Sequence, residues 1–331
     1  MSVHPVDPAD SGALRSWWEV GAAAAAELPV GDWPSWPAAS TALAVPPVGR
    51  DVVLLALDEG GRTVGAARLE LHHQENTHVG FVEVWVLPDA RRRGHGRALL
   101  AEAERRCREA GRTTVVSSVE TPTDADNAGV RFAAASGYEV AGVEFTKTVD
   151  LAGTAALLPE VTSFAAERLD GYGIVWWRDH TPEEHLAGLA RLWSRFLSEA
   201  PLGELDLQPQ QWTPERIREW EERRRRVRAA HLLVAGVAPD GTLAGYSAVS
   251  VLEADPRLGH ITSTLVLPEH RGHRLGLAVK ARLHAYVREE FPACEQLVTG
   301  NAGVNEWMNA VNDRLGYRIT NRCLDLQKHL S

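Results

Sequence analysis

Seven consecutive residues, Arg91-Arg92-Arg93-Gly94-His95-Gly96-Arg97, combine four guanidinium groups with two glycines. They follow the apolar run Phe81-Val82-Glu83-Val84-Trp85-Val86-Leu87, which reads as a strand, and open Ala98 to Arg105, which reads as a helix. A helix start presents unpaired backbone N–H groups and the positive end of the helix dipole. Gly94 and Gly96 tolerate positive φ and let a ligand approach the main chain. The chemistry this favours is a cradle for a pyrophosphate. The spacing excludes a dinucleotide fingerprint, because no third glycine follows, and a P-loop, because no Gly-Lys-Ser/Thr follows.

The elements around this stretch alternate in an α/β order. Asp10 to Ala26 is expected to be helical, and Gly31 to Pro47, rich in Pro and Trp, to be an ordered loop. Asp51 to Leu57, the turn Asp58-Glu59-Gly60-Gly61 and Val64 to Leu71 form a hairpin. After the Arg/Gly loop and its helix come a strand at Thr113 to Val119, a helix near Asn127 to Ala135, and Ser136-Gly137-Tyr138 leading to a last strand.

The second half repeats the first. Gly241-Thr242-Leu243-Ala244-Gly245 parallels Gly61-Arg62-Thr63-Val64-Gly65 at an offset of 180 residues, and Val266-Leu267-Pro268 parallels Val86-Leu87-Pro88 at the same offset. Leu315-Gly316-Tyr317 parallels Ser136-Gly137-Tyr138 at 179. Three separated matches at nearly constant offset mark a tandem duplication. The expected division is residues 1–150, a connecting segment 151–171, and 172–331. Within the second half, Thr181 to Leu197 and Pro214 to Ala230 read as helices. The run Arg223-Arg224-Arg225-Arg226, preceded by Glu219, Glu221 and Glu222, reads as a solvated helix face.

Arg-x-x-Gly-x-Gly after Val-Leu-Pro resembles the acyl-CoA pyrophosphate loop of the GNAT superfamily of N-acetyltransferases, and the resemblance covers most of both halves. It implies an α/β (α+β) fold of two tandem units, each a mixed, mostly antiparallel sheet flanked by helices. It also implies acetyl-CoA as cofactor and transfer of acetyl to an amine of a small molecule by direct attack. By position it assigns cofactor contacts to the main chain of Trp85 and Val86 and to Arg91 through Arg97, with Asn127 beside them. In the second half the corresponding positions are Leu265, Val266 and Arg271-Gly272-His273-Arg274-Leu275-Gly276. Arg274 replaces the middle glycine there, so it either crowds the ligand or offers its guanidinium to phosphate. Asn301 and Asn305 either contact the cofactor arm or cap a helix.

Many members of that family use a tyrosine as the acid; counting back from Gly137 and Gly316 puts Ala133 and Asn312 at its place. The base candidates are Glu83, charged within an apolar strand, and His260, at the start of the matching second strand. Glu253 is a candidate for recognising a substrate amine. The competing expectations are a non-catalytic acetyl-CoA-binding or sensing module and a structural pseudo-dimer.

Composition sets the remaining bounds. At 331 residues, 44% hydrophobic and 24% charged, the chain has the make-up of an ordinary globular protein. A formal charge of −9 argues against general nucleic-acid binding and favours a cationic or amine substrate. Cys107, Cys294 and Cys323 form neither a disulfide framework nor a metal pattern, which suits a reducing compartment. No signal peptide or membrane span is legible. The expectation is a cytoplasmic monomer or homodimer with no metal, nucleic-acid or membrane partner.

Overall fold

A computed structural model describes residues 2–30 and 33–330. It forms two compact units: residues 1–144, 202–208 and 320–331 make unit 1, and 145–201 with 209–319 make unit 2. The units are interleaved in sequence. The last strand of each half changes unit, at Phe145 in the first half and at Thr320 in the second.

Unit 1 begins with β1 (Val3–Pro5) and α1 (Ser11–Ala25). The Asp10 carboxylate caps α1 by accepting from the N–H groups of Gly12 and Ala13. A second helix, α2 (Trp36–Ala44), stands where the Pro/Trp composition suggested a loop. Ser35 caps it and Pro37 sits in its first turn, where a missing N–H costs nothing; Gly31, the start of that expected loop, lies outside the described residues. The sheet continues with β2 (Arg50–Glu59), β3 (Arg62–His72) and β4 (Val79–Val86). Then come α3 (His95–Glu109), β5 (Thr114–Pro122), α4 (Ala128–Ala135) and the start of β6 (Glu139–Asp150).

Unit 2 takes the rest of β6, then α5 (Leu151–Thr154) and α6 (Leu158–Ala166) in the connecting segment. Its remaining elements are β7 (Gly173–Arg178), α7 (Glu183–Glu199), α8 (Pro214–Arg226), β8 (Ala229–Val237), β9 (Leu243–Leu252) and β10 (Asp255–Val266). After these come α9 (Leu275–Glu290), β11 (Gln296–Ala302), α10 (Glu306–Arg314) and β12 (Arg318–His329). From Thr320, β12 belongs to unit 1, where it pairs antiparallel with β5 from Asn321–Pro122 to His329–Thr114.

Both sheets are mostly antiparallel, each with a parallel pair among the described residues, β4–β5 and β10–β11. Both parallel pairs are short. β4 and β5 pair only from Val79–Thr114 to Phe81–Val116, although β4 runs on to Val86 and β5 to Pro122. β10 and β11 pair only from Leu258–Gln296 to His260–Val298. Each sheet therefore splits beside its Arg/Gly loop, freeing main-chain donors and acceptors along the opening. The unit 1 core is Leu55, Leu57, Leu69, Leu99 and their neighbours; in unit 2, separate cores lie on the α9 and α7–α8 faces.

Candidate acetyl-CoA and acceptor sites

The Arg/Gly loop of unit 1 leaves β4 through a turn at Pro88–Ala90 and enters α3 with Gly94 as N-cap. Gly94 has φ +89°, and a Cβ built there would meet nothing within 4 Å. Glycine adopts this conformation without strain, and the space over it is open. No side chain caps α3, so its first N–H groups face that space. At Gly96, by contrast, an added Cβ would meet Phe132 at 3.4 Å and Val86 at 3.7 Å.

The arginines divide into two kinds. Arg91 donates from Nε to the Val86 carbonyl (3.1 Å) and pairs with Glu27, so it braces the loop. Arg93 pairs with Glu59 (3.0 Å) and donates to the Asp89 carbonyl (3.1 Å). Arg92, at φ +66°, and Arg97 are exposed and make no ion pair among the described residues. His95 is buried, its Nε2 3.5 Å from Glu59. Asn127 caps α4 by accepting from Gly129 and Val130.

One face of the unit 1 sheet carries ionisable groups on both sides of the split. Glu83 lies opposite Arg68 on β3, their charged groups 4.0 Å apart. Glu70, on the same face, pairs with Arg50 (2.8 Å) and Arg68. Burial pushes the Glu83 carboxyl above its ordinary range, with Arg68 pulling it down and Glu70 pushing it further up. Trp85, also on this face, packs against Trp33 (5.0 Å between ring centres) and Trp17 (5.7 Å).

Phe81 and Val116 are the last paired residues, so Ser118 and Glu120 follow Val116 on the face that Glu83 occupies on β4. Across β12 they meet Asp325 and Cys323. Burial raises the Asp325 carboxyl; burial and then Asp325 raise that of Glu144. The Cys323 thiol is pushed up by burial and then by Asp325, Glu120 and Glu144. Sequence reasoning missed this acidic group because its members come from β5, β6 and β12.

Unit 2 repeats the loop with changes. Arg271 donates from Nε to the Val266 carbonyl (3.2 Å) and pairs with Glu199 (2.9 Å), matching Arg91. His273 meets Asp170 at 3.2 Å, and Leu275 is buried. Arg274 is the N-cap of α9 at φ +55°. Its side chain lies over the Phe164 ring, 3.4 Å from the ring centre, bonding the Phe164 carbonyl and Glu167 (2.9 Å). The guanidinium thus fastens the loop to α6. Gly272 keeps φ +91°, and a Cβ added at Gly276 would meet Val266 at 3.4 Å.

On the α9 face, Asn312 is fully buried. Its Oδ1 accepts from Lys280 (2.6 Å) and its Nδ2 donates to Asn301 (3.0 Å). Asn301 donates to Asn309 (2.7 Å), whose Oδ1 also accepts from Lys147 (2.5 Å). Asn305 caps α10 by accepting from Met308. At the offset of the repeat, Lys280 corresponds to Leu100 and Asn312 to Ala133, so unit 1 has no such network.

His260 lies on the opposite face, across from Ser250. Beyond it β10 shifts register between Ile261 and Ser263, a bulge absent from the β3–β4 ladder. Leu265 packs into the α7–α8 core. Glu253 is exposed in the turn after β9, 3.6 Å from Arg228, at the end of the β9–β10 hairpin away from the Arg/Gly loop. The candidate catalytic residues are thus not gathered into one centre: Glu83 belongs to unit 1, and His260, Asn312 and Glu253 occupy three different places in unit 2.

A split, mostly antiparallel sheet with an uncapped glycine-started helix beside the split defines an α/β class of protein. The Acetyltransferase (GNAT) family matches residues 24–138 and again 186–317, and the chain belongs to that family as a tandem member. It is similar to the structure of a tandem GNAT protein from the clavulanic acid biosynthesis pathway, at 27% identity over 99% of this chain and 98% of that one, TM-score 0.81. A GCN5-related N-acetyltransferase from Sphaerobacter thermophilus shares the fold at 15% identity, covering 99% and 95% of the two chains, TM-score 0.67. No curated protein matches. No described helix is long and apolar enough to cross a membrane.

Proposed function

We propose that acetyl-CoA binds at the unit 1 loop and that its acetyl group passes to an amine of a small molecule on the Glu83 face. The observation that carries this reading is the open, left-handed Gly94 turn ahead of the uncapped α3, beside the β4–β5 split. The pyrophosphate fits the N–H groups at the start of α3, with Arg92 and Arg97 as counter-charges. A bound acetyl-CoA supplies the activated thioester. The split gives its pantetheine arm main-chain partners along Val82 to Val86, and an N–H there is suited to the oxyanion that develops on attack.

The acceptor must lose a proton to attack. Glu83, with its raised carboxyl, is the base of this reading, directly or through one water. The C–N bond forms as the C–S bond breaks, and the amine proton passes to Glu83. Ala133 at the tyrosine position provides no acid, so the thiolate takes its proton from solvent. The acidic group of Glu120, Glu144 and Asp325 favours a cationic acceptor on the same face. Three free cysteines suit the reducing cytoplasm.

Non-catalytic acetyl-CoA binding is the second reading, favoured by the missing acid at Ala133 and Asn312. Calorimetric titration with acetyl-CoA, followed by thiol release over a panel of amines, separates the two. Binding with release for at least one amine is the expected result. Binding without release from any amine points to the sensor, and absence of binding removes both readings.

A further inference from the structure

The Arg223 to Arg226 run is not a uniformly solvated face. Arg225 pairs with Glu222 (2.7 Å) at the surface, whereas Arg224 turns inward beneath β8 and β9. Its Nη2 donates to the Ala230 carbonyl (3.1 Å) and to Ser250 Oγ, and its guanidinium lies 4.9 Å from the centre of the Trp220 ring. The Nε hydrogen is buried without an acceptor, and Nη1 makes no bond among the described residues. No carboxylate lies within ion-pair distance of it among the described residues.

A guanidinium stays charged in a protein, and a desolvated charge without a counter-ion is costly. Burial and the neighbouring Arg223 both disfavour this charge; Asp179 favours it from a distance, while held by the His231 N–H (2.7 Å) and Arg178 (3.3 Å). Apart from Asp179, the groups around the Arg224 guanidinium among the described residues supply no negative charge. They are Ser250 on β9, His260 opposite it on β10, His231 on β8, and Trp193 and Trp220, which pack on His231. Burial holds His231 neutral.

The repeat shows what is missing. At the offset of 180, Ser250 corresponds to Glu70, the carboxylate that neutralises Arg50 and Arg68 in unit 1. In unit 2 the strand position carries a hydroxyl, while an arginine arrives from α8.

We infer that Arg224, with Ser250 and His260 at the mouth of the β10–β11 split and Trp220 as a wall, binds the carboxylate of a small ligand on the α7–α8 face of unit 2. The ligand supplies the counter-charge that Glu70 supplies in unit 1. This site is separate from the acetyl-CoA loop and does not depend on the transfer reading.

The test is thermal unfolding and calorimetry of the full chain with sodium malonate, against sodium chloride at matched ionic strength and dimethyl malonate as neutral control. Saturable stabilisation by malonate alone is expected, weakened about 10- to 100-fold in Arg224→Gln, the range for loss of a charge-assisted contact. Ser250→Glu places a carboxylate where unit 1 has Glu70, so that variant is expected to fold, to gain stability and to lose the malonate effect. Acetyl-CoA titration of both variants checks that unit 1 is intact. Absence of a saturable malonate effect in the parent protein overturns the inference, as does an undiminished effect in either folded variant.

Discussion

Gly94 and Arg274 hold the same left-handed turn at the starts of α3 and α9, at φ +89° and +55°. Two positions earlier the pair is reversed, with Arg92 at φ +66° and Gly272 at φ +91°. The two loops thus keep one backbone path and exchange which turn carries the glycine. At Gly94 the turn faces open space; at Arg274 the side chain is tied down over Phe164. Gly94→Asp is therefore expected to abolish acetyl-CoA binding by placing a negative side chain at the cradle. Gly94→Ala adds a strain of about 1 kcal/mol at positive φ and weakens binding roughly tenfold or less. Unchanged stoichiometry in Gly94→Asp, measured by calorimetry, moves the site to the second loop.

Arg274→Gly relieves the same conformational strain, about 1 kcal/mol. It also deletes the contacts to the Phe164 carbonyl, Glu167 and the Phe164 ring. Hydrogen bonds from charged groups contribute about 1.5–3 kcal/mol each, less when half-exposed. A net loss of about 1 kcal/mol in urea unfolding is expected. A stabilised variant would show that the tie to α6 contributes less than the turn costs.

Glu83→Gln should lower turnover by about 10²- to 10³-fold with acetyl-CoA affinity unchanged, the range for a lost general base. The base works deprotonated and burial raises its pKa. The parent rate should therefore fall as pH drops through that raised value, above the usual glutamate range. A glutamate serving only to pair with Arg68 would leave this acid limb in place after substitution.

The tandem architecture and the first loop were legible because they rest on local pattern: strand, glycines, helix cap, and an offset that recurs. The α2 helix was hidden because its one proline, Pro37, occurs in the first turn, where it suits a helix as well as a loop. Arg224 and Arg225 are neighbours in one charged run, yet one is solvated and one lies under the sheet; which does which depends on where β8 and β9 pass. Cys323 and Glu120 meet only because β12 crosses into unit 1, and periodicity within one strand carries no sign of that exchange. Residue types alone place Ala133 and Asn312 at the tyrosine position, but that Asn312 anchors Lys280 follows only from the hydrogen bond between α10 and α9.

Asp325 and Glu144 are carboxyls raised by burial on one face. A raised carboxyl binds its proton more tightly in the folded chain. Its contribution to stability is therefore full below the unfolded pKa and lost as pH rises through the folded one. Asp325→Asn should raise the melting temperature at pH 7 and leave it little changed near pH 3. If the face receives a cationic acceptor, the same variant raises the KM for that amine. A gain in stability without a change in KM would separate the acidic group from acceptor binding.

Lys280 offers the sharpest test of a buried charge. Its ammonium is fully buried on Asn312 Oδ1, and burial followed by the charge of Lys147 brings its pKa down to about 7. An unfolded lysine titrates near 10.4. Between those values the unfolded chain holds a proton that the native chain has lost, so stability rises with pH across that window and the penalty is full below it. A shift of this size corresponds to roughly 4 kcal/mol at pH 7. Lys280→Met keeps the side-chain length but strands Asn312, which costs about 1–3 kcal/mol at any pH. The variant should therefore be more stable than the parent at pH 7 and less stable near pH 10, with the two urea-unfolding curves crossing between. Parallel curves would mean that Lys280 keeps an ordinary pKa in the folded chain.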